Sequence, residues 1–312
     1  AYRAALLKST MPILLQTGFY DIYTEGIFDM WRETPRRRLA NCALLVDACD
    51  HSGRTADDMK GTCGDFPGGQ RRDCGISPVD WFDWCRTGSS PAKAAPGKLR
   101  YYALWENRWI EADALVDGPR RVDFPFGNGV RTWTYDPTRR LPEFPGSGGI
   151  CFGGMRRQPP PDFRDDVVSF ILPPLKERLD VRGRMRAKIA VKSDCADTCI
   201  YARLSVKKPD GAWYLLRDDI TSLSLNGGVY RPGSERLVEL KFADHAFRLE
   251  KGDVLRVDVA SGNSQFAPHG NVEGIQSAVR ETRKAVNSVR ADGSTLTLFT
   301  LDDCTNENNF ID

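Results

Sequence analysis

Only three histidines and five methionines occur in the 312 residues, so chemistry that needs an imidazole has few places to sit. Long hydrophobic runs are missing too. The longest are MPILL near the start and CALLV at Cys42–Val46, far short of the roughly 18 apolar residues a helix needs to cross a bilayer. An excess of either charge is also absent: 44 Lys+Arg face 42 Asp+Glu, a net charge of +2. The short Arg36–Arg38 cluster is no footprint for nucleic acid, so neither nucleic acid nor a membrane is expected as a partner. There is no internal repeat or low-complexity segment, and 41% hydrophobic with 28% charged residues excludes a disordered chain and a collagen-like fibre.

Nine cysteines are an odd number in a chain too long to need staples, so at least one thiol is free. Cys195 and Cys199 form a C-x3-C pair, but no second pair supplies the four ligands of a structural zinc, and no metal or cofactor is expected. The odd count points to a reducing, cytoplasmic compartment. The chain starts at Ala1, shows no charged-then-apolar leader, and soon enters a buried-strand pattern. That reads as a cut end, with an N-terminal portion missing.

The pattern changes near residue 90, at the small-residue and proline stretch Gly88–Gly97. Before it, PILLQT (Pro12–Thr17) and CALLVD (Cys42–Asp47) are unbroken apolar runs, as in parallel strands buried on both faces. Thr24 is a candidate cap for a helix bearing Ile27, Phe28, Met30 and Trp31 and ending before Pro35. A polar, Gly-rich insertion spans Thr55–Gly75; then SPVDWFDWCRTG predicts a helix with Ser77 as cap, Pro78 in its first turn and Gly88 as its stop. Residues 1–90 therefore read as the tail of a parallel α/β sheet.

Residues 97–312 read as antiparallel β. Met185, Ala187, Ile189 and Val191 fall on one face with Arg184, Arg186, Lys188 and Lys192 on the other, and Ile200, Ala202, Leu204 and Val206 alternate in the same way. Pro209 and Gly211 mark a turn, and ERLVELKF, DVLRVDVA and STLTLF add strands. Many short strands of this kind predict a β-sandwich of jelly-roll type.

Of the histidines, His245 and His269 lack a metal or nucleophile partner nearby in sequence and read as core or surface residues. His51 directly follows a buried strand, at the end where α/β enzymes carry their functional loops, and Asp21 holds the equivalent position after the preceding strand. An acid after one strand and a histidine after the next is the order of the last two members of an α/β-hydrolase Ser…Asp…His triad. Gly149–Gly153 matches G-x-C-x-G, but PEFPGSG before it and GMRRQPPP after it form neither the strand nor the helix an elbow needs. Cys151 is therefore read as a loop residue. Trp81, Phe82 and Trp84 read as aromatics locking a helix to the sheet.

TGFYDIYTEGIFDMW resembles the segment of the catalytic aspartate in the family of cocaine esterase, α-amino-acid ester hydrolases and X-prolyl dipeptidyl-peptidases, where G-[WF]-Y-D-x-[FY] is typical. LLVDACDHSG resembles the family's histidine loop, PVDWFDWCRTG its W-F-D-x-[WF]-L-K-G helix, and ALWENRWIEAD its M-G-x-N-x-W-R-x-x-D strand. RDDVVSF and the run from DVRGRMRAKIAVK resemble the start of its C-terminal jelly roll. Two departures stand out: ACD replaces the usual G-P-W before His51, and Cys85 interrupts the helix. The resemblance implies the C-terminal remnant of an α/β-hydrolase sheet followed by a jelly-roll β-sandwich. It implies Asp21 as orienter and His51 as general base in a serine hydrolase acting on a small ester or peptide, with the serine in the missing N-terminal portion. The rival readings are a non-catalytic β-sandwich binding module and one chain of a two-chain hydrolase.

Overall fold

The computed structural model describes residues 8–51, 78–88, 96–146, 153–264, 270–272 and 281–301. The first elements are β1 (Ile13–Tyr20), α1 (Thr24–Glu33), the helical turn α2 (Arg36–Leu39), β2 (Cys42–Asp50), α3 (Pro78–Thr87), β3 (Leu99–Ala103) and β4 (Arg108–Ala112). Strands β1, β2 and β3 pair in parallel and β4 closes the sheet as an antiparallel hairpin with β3, in the order β1-β2-β3-β4. Helices cover both faces because the apolar runs present side chains to both. Leu14 and Ala43, opposite each other in register, meet Trp81 and Trp84 of α3. Ile13, Leu15, Leu44 and Val46 belong to the main core with Ile27, Phe28 and Trp31 of α1.

Three details differ from the sequence expectation. Thr24 is the first helical residue rather than the cap, and its hydroxyl donates back to the carbonyls of Gly18 and Asp21, both at 2.6 Å. The first half of β1 is only partly buried, since it is an edge strand with no described strand on its outer side. The division expected at Gly88–Gly97 is not the end of this sheet: β3 and β4 follow it, and every residue of β3 is buried. Gly88 does stop α3, at φ +72° with its N–H on the Trp84 carbonyl; Ser77 lies outside the described residues.

The remaining strands are β5 (Arg120–Pro125), β6 (Val130–Tyr135), β7 (Val168–Ile171), β8 (Leu179–Gly183), β9 (Arg186–Ser193), β10 (Cys199–Lys207), β11 (Trp213–Ser222), β12 (Glu235–Lys241), β13 (His245–Leu249), β14 (Val254–Ala260) and β15 (Ala285–Thr300). They form a β-sandwich. One sheet has the order β11-β10-β14-β7; the other has β12-β9-β15-β8-β13, with β5 and β6 also paired to the long β15. Met185, Ala187, Ile189 and Val191 are fully buried, as are Ile200, Ala202, Leu204 and Val206. The opposite face of β10 is buried as well. There Arg203 and Arg256 share the Asp258 carboxylate, and Arg203 lies 4.0 Å over the Phe144 ring.

One contiguous apolar core runs from the four-stranded sheet into the sandwich. Leu104, in the β3–β4 turn, bridges to Phe247 of β13; its N–H donates to Ala246 at 3.0 Å and its carbonyl accepts from Arg248 at 2.9 Å. Two residues on in the same turn, Glu106 has a side chain with no solvent exposure and meets Arg182, Arg108 (2.8 Å) and Arg248 (3.3 Å). Removing one partner from a buried charge cluster leaves the others uncompensated. Glu106→Gln is expected to lower stability by about 3–5 kcal/mol in urea unfolding, because it removes the carboxylate charge that buried Arg182, 2% exposed, shares with Arg108 and Arg248.

Candidate functional site

Asp21 and His51 each follow directly on a strand, at the carboxyl ends of the adjacent parallel strands β1 and β2. Asp21 Oδ1 and His51 Nδ1 are 3.0 Å apart, with the carboxylate side chain 12% exposed and the imidazole 36%. In the tautomer with its proton on Nδ1, the ring donates to the carboxylate and Nε2 is left as the proton acceptor. The same Asp21 oxygen accepts the backbone N–H of Tyr23 at 2.9 Å, and the Asp21 N–H donates to Gly18 at 3.0 Å. The turn after β1 thus fixes the carboxylate before the histidine reaches it.

The register brings the histidine there. Gly18 pairs with Asp47 and Tyr20 with Asp50, so β2 carries one more residue than β1 over this stretch. The extra residue falls in the ACD segment, the place where the sequence departs from the family pattern. The bulge drives the Cys49 backbone against β1, and a Cβ added at Gly18 would lie 2.0 Å from the Cys49 carbonyl oxygen. Only glycine leaves room for that approach.

Beneath the pair, Phe19 is fully buried and stacks on His245 at 4.5 Å, while Tyr20 and Phe247 meet the same imidazole edge-on. Burial first, and then the Arg217 charge, push the His245 pKa well below its ordinary value, so it is a neutral core residue. Arg217 of β11 donates to the Phe19 carbonyl. Cys195 and Cys199 are free thiols, and burial raises the Cys195 pKa to about 11. Among the described residues no group of three His, Cys, Asp or Glu could hold a metal ion. His269 and Cys151 lie outside the described residues.

A cavity of about 190 Å³ opens behind Asp21, lined by Tyr20, Glu25, Arg217, Asp218 and Asp219 among others. Burial, reinforced by Glu25 and Asp218 and opposed by the Ile220 N–H and Arg217, lifts the Asp219 pKa from 3.8 to about 7. Sequence reasoning missed this group, because DD in a strand reads as solvent-facing. It missed Gly18 and Tyr23 as well; the glycine three residues before Asp21 was the one available signal.

Two outcomes follow from this geometry. Gly18→Ala is expected to cost about 1–3 kcal/mol of stability, and Cys49→Ala is not expected to rescue it, since the clash is with a backbone oxygen; thermal melts of the single and double variants read this. An Asp pKa that rises on folding makes the native state bind the extra proton, so stability falls as pH rises from about 4 to about 7. Asp219→Asn should therefore raise Tm relative to the parent more at pH values above 7 than at acid pH, and an equal gain at both would refute the assignment.

The comparisons with known proteins agree with this architecture. Residues 123–296 match the family described as the X-Pro dipeptidyl-peptidase C-terminal non-catalytic domain. Cocaine esterase from Rhodococcus sp. (strain MB1 Bresler) is 23% identical over 250 residues, 71% of this chain but 42% of that protein. An α-amino acid ester hydrolase structure superposes with a TM-score of 0.76 at 14% identity, over 97% of this chain and 57% of that one. The aminopeptidase of a marine sediment archaeon, Thaumarchaeota archaeon, gives 0.72 at 16%, over 96% and 56%. A CocE/NonD family hydrolase from Staphylococcus aureus gives 0.55 at 10%, over 93% and 55%. The chain thus spans about half the length of these relatives. With more than half of its residues matched by that model, the chain belongs to the X-Pro dipeptidyl-peptidase C-terminal non-catalytic domain family.

Proposed function

We propose that this chain is the C-terminal portion of a serine hydrolase that cleaves an ester or amide. In this reading β1, β2 and β3 are the last strands of an α/β-hydrolase sheet, the sandwich is a jelly roll packed against it, and the nucleophile comes from a segment outside these residues. The observation that carries the reading is the 3.0 Å contact between Asp21 and His51 at the carboxyl ends of adjacent parallel strands. His51 would take the serine proton through Nε2 and return it to the leaving group, while Asp21 holds the Nδ1–H tautomer and stabilises the imidazolium. Strand β1 supports an incomplete sheet: ILLQTGFY carries no charge and packs apolar side chains on both faces, although natural edge strands are usually protected by charge or proline.

The reading separates from a non-catalytic binding module by experiment. The chain alone, lacking a serine placed by an elbow, is expected to leave p-nitrophenyl acetate unhydrolysed and to resist stoichiometric labelling by a fluorophosphonate. In the protein joined to its nucleophile-bearing segment, His51→Ala should cut turnover by about 10³-fold or more with Tm nearly unchanged, because the imidazole is exposed at a strand end. Near-parental turnover of His51→Ala, or loss only in step with unfolding, would favour the binding module.

A further inference from the structure

We propose that Tyr23 is a positioning residue for His51, locking the imidazole in the orientation that its bond to Asp21 requires. The inference rests on the reading of Asp21 and His51 as a catalytic pair. Tyr23 stands at the N-cap position of α1, two residues after Asp21, and acts on the pair in two ways. Its backbone N–H donates at 2.9 Å to Asp21 Oδ1, the oxygen that meets His51 Nδ1 at 3.0 Å. Its ring stands edge-on to the His51 ring, with centroids 5.0 Å apart and planes at 71°.

Burial does not account for that ring contact, since Tyr23 is 59% exposed and belongs to none of the apolar core clusters. His51 needs a second hold. Its backbone lies just beyond the last residue of β2, its side chain is 36% exposed, and a single hydrogen bond leaves the ring free to swing about the Nδ1–carboxylate contact. Among the described residues the edge-on contact with the Tyr23 ring is what opposes this swing. Edge-to-face packing is orientation-dependent, so the ring selects an angle as well as filling space. The backbone N–H fixes the carboxylate and the side chain fixes the imidazole, so both halves of the pair are held from one turn. The effect belongs to the ring, not to the hydroxyl.

Long-range ¹H–¹⁵N correlation spectra of this chain, recorded above the histidine pKa, test the proposal by reading the tautomer of His51. An unrestrained neutral imidazole favours the proton on Nε2, whereas a ring held against a carboxylate carries it on Nδ1. The parent and Tyr23→Phe are expected to show mainly the Nδ1–H form. Tyr23→Ala, which keeps the backbone N–H, should lower the Nδ1–H to Nε2–H ratio at least twofold, and Asp21→Asn should abolish the preference. Unmoved His245 signals report that the core is intact in each variant. If Tyr23→Ala keeps the parental ratio while Asp21→Asn loses it, the pair stands and the role of Tyr23 is refuted. If Tyr23→Phe behaves like Tyr23→Ala, the ring-based account is refuted. If the parent shows no Nδ1–H preference and Asp21→Asn changes nothing, the pair itself fails and this inference with it.

Discussion

The carboxylate of Glu106, wholly removed from solvent among three arginines, is the interaction on which the joining of sheet and sandwich depends. A buried carboxylate is tolerable only with close counter-charge, and two of its partners, Arg182 and Arg248, come from sandwich strands β8 and β13. Glu106 in turn sits in the turn that makes β3 and β4 a hairpin, beside Leu104, whose backbone pairs with β13. Because β3 is the parallel neighbour of β2, the charge cluster reaches the site through the sheet: it anchors β3, β3 sets β2, and β2 ends at His51. A second clasp repeats the logic on the helix side, where Asp244, 1% exposed, receives both Arg32 of α1 and Arg184.

Much of this architecture was legible in local pattern. The alternation at Met185–Val191 gave a strand and its buried face, Pro35 and Gly88 gave helix ends, and the positions of Asp21 and His51 after two apolar runs were readable because strand ends are marked by a change in composition. What stayed hidden depends on distant partners. Arg203 in a strand reads as a solvent-facing charge; its burial is tolerable only because Asp258, 55 residues away, neutralises it and Phe144 covers it. The membership of β3 in the first sheet was masked by the linker-like composition before it, which describes the connection and not the pairing. The extra residue in β2 has no signature at all, since a bulge is a mismatch between two strands and neither strand alone records it.

The same distinction bears on what a sandwich described as non-catalytic contributes. Strand β1 is partly exposed from Ile13 to Gln16 and buried from Thr17 to Tyr20. The change follows from what covers it. Among the described residues β1 pairs on one side only, and its second half is held by side chains of the sandwich: His245 of β13 stacks on Phe19, Arg217 of β11 donates to the Phe19 carbonyl, and the Tyr20 hydroxyl donates to Leu215 at 3.3 Å. Asp21 follows these residues directly. A carboxylate at the end of a frayed strand would wander by more than a hydrogen bond tolerates, while one at the end of a strand pinned at its last two residues keeps its angle to β2. The neutral imidazole of His245 and the guanidinium of Arg217 therefore give the last two residues of β1 a rigidity that does not depend on a strand at its outer edge. Burial keeps the His245 imidazole neutral, so that ring adds no positive charge beneath the strand that ends at Asp21.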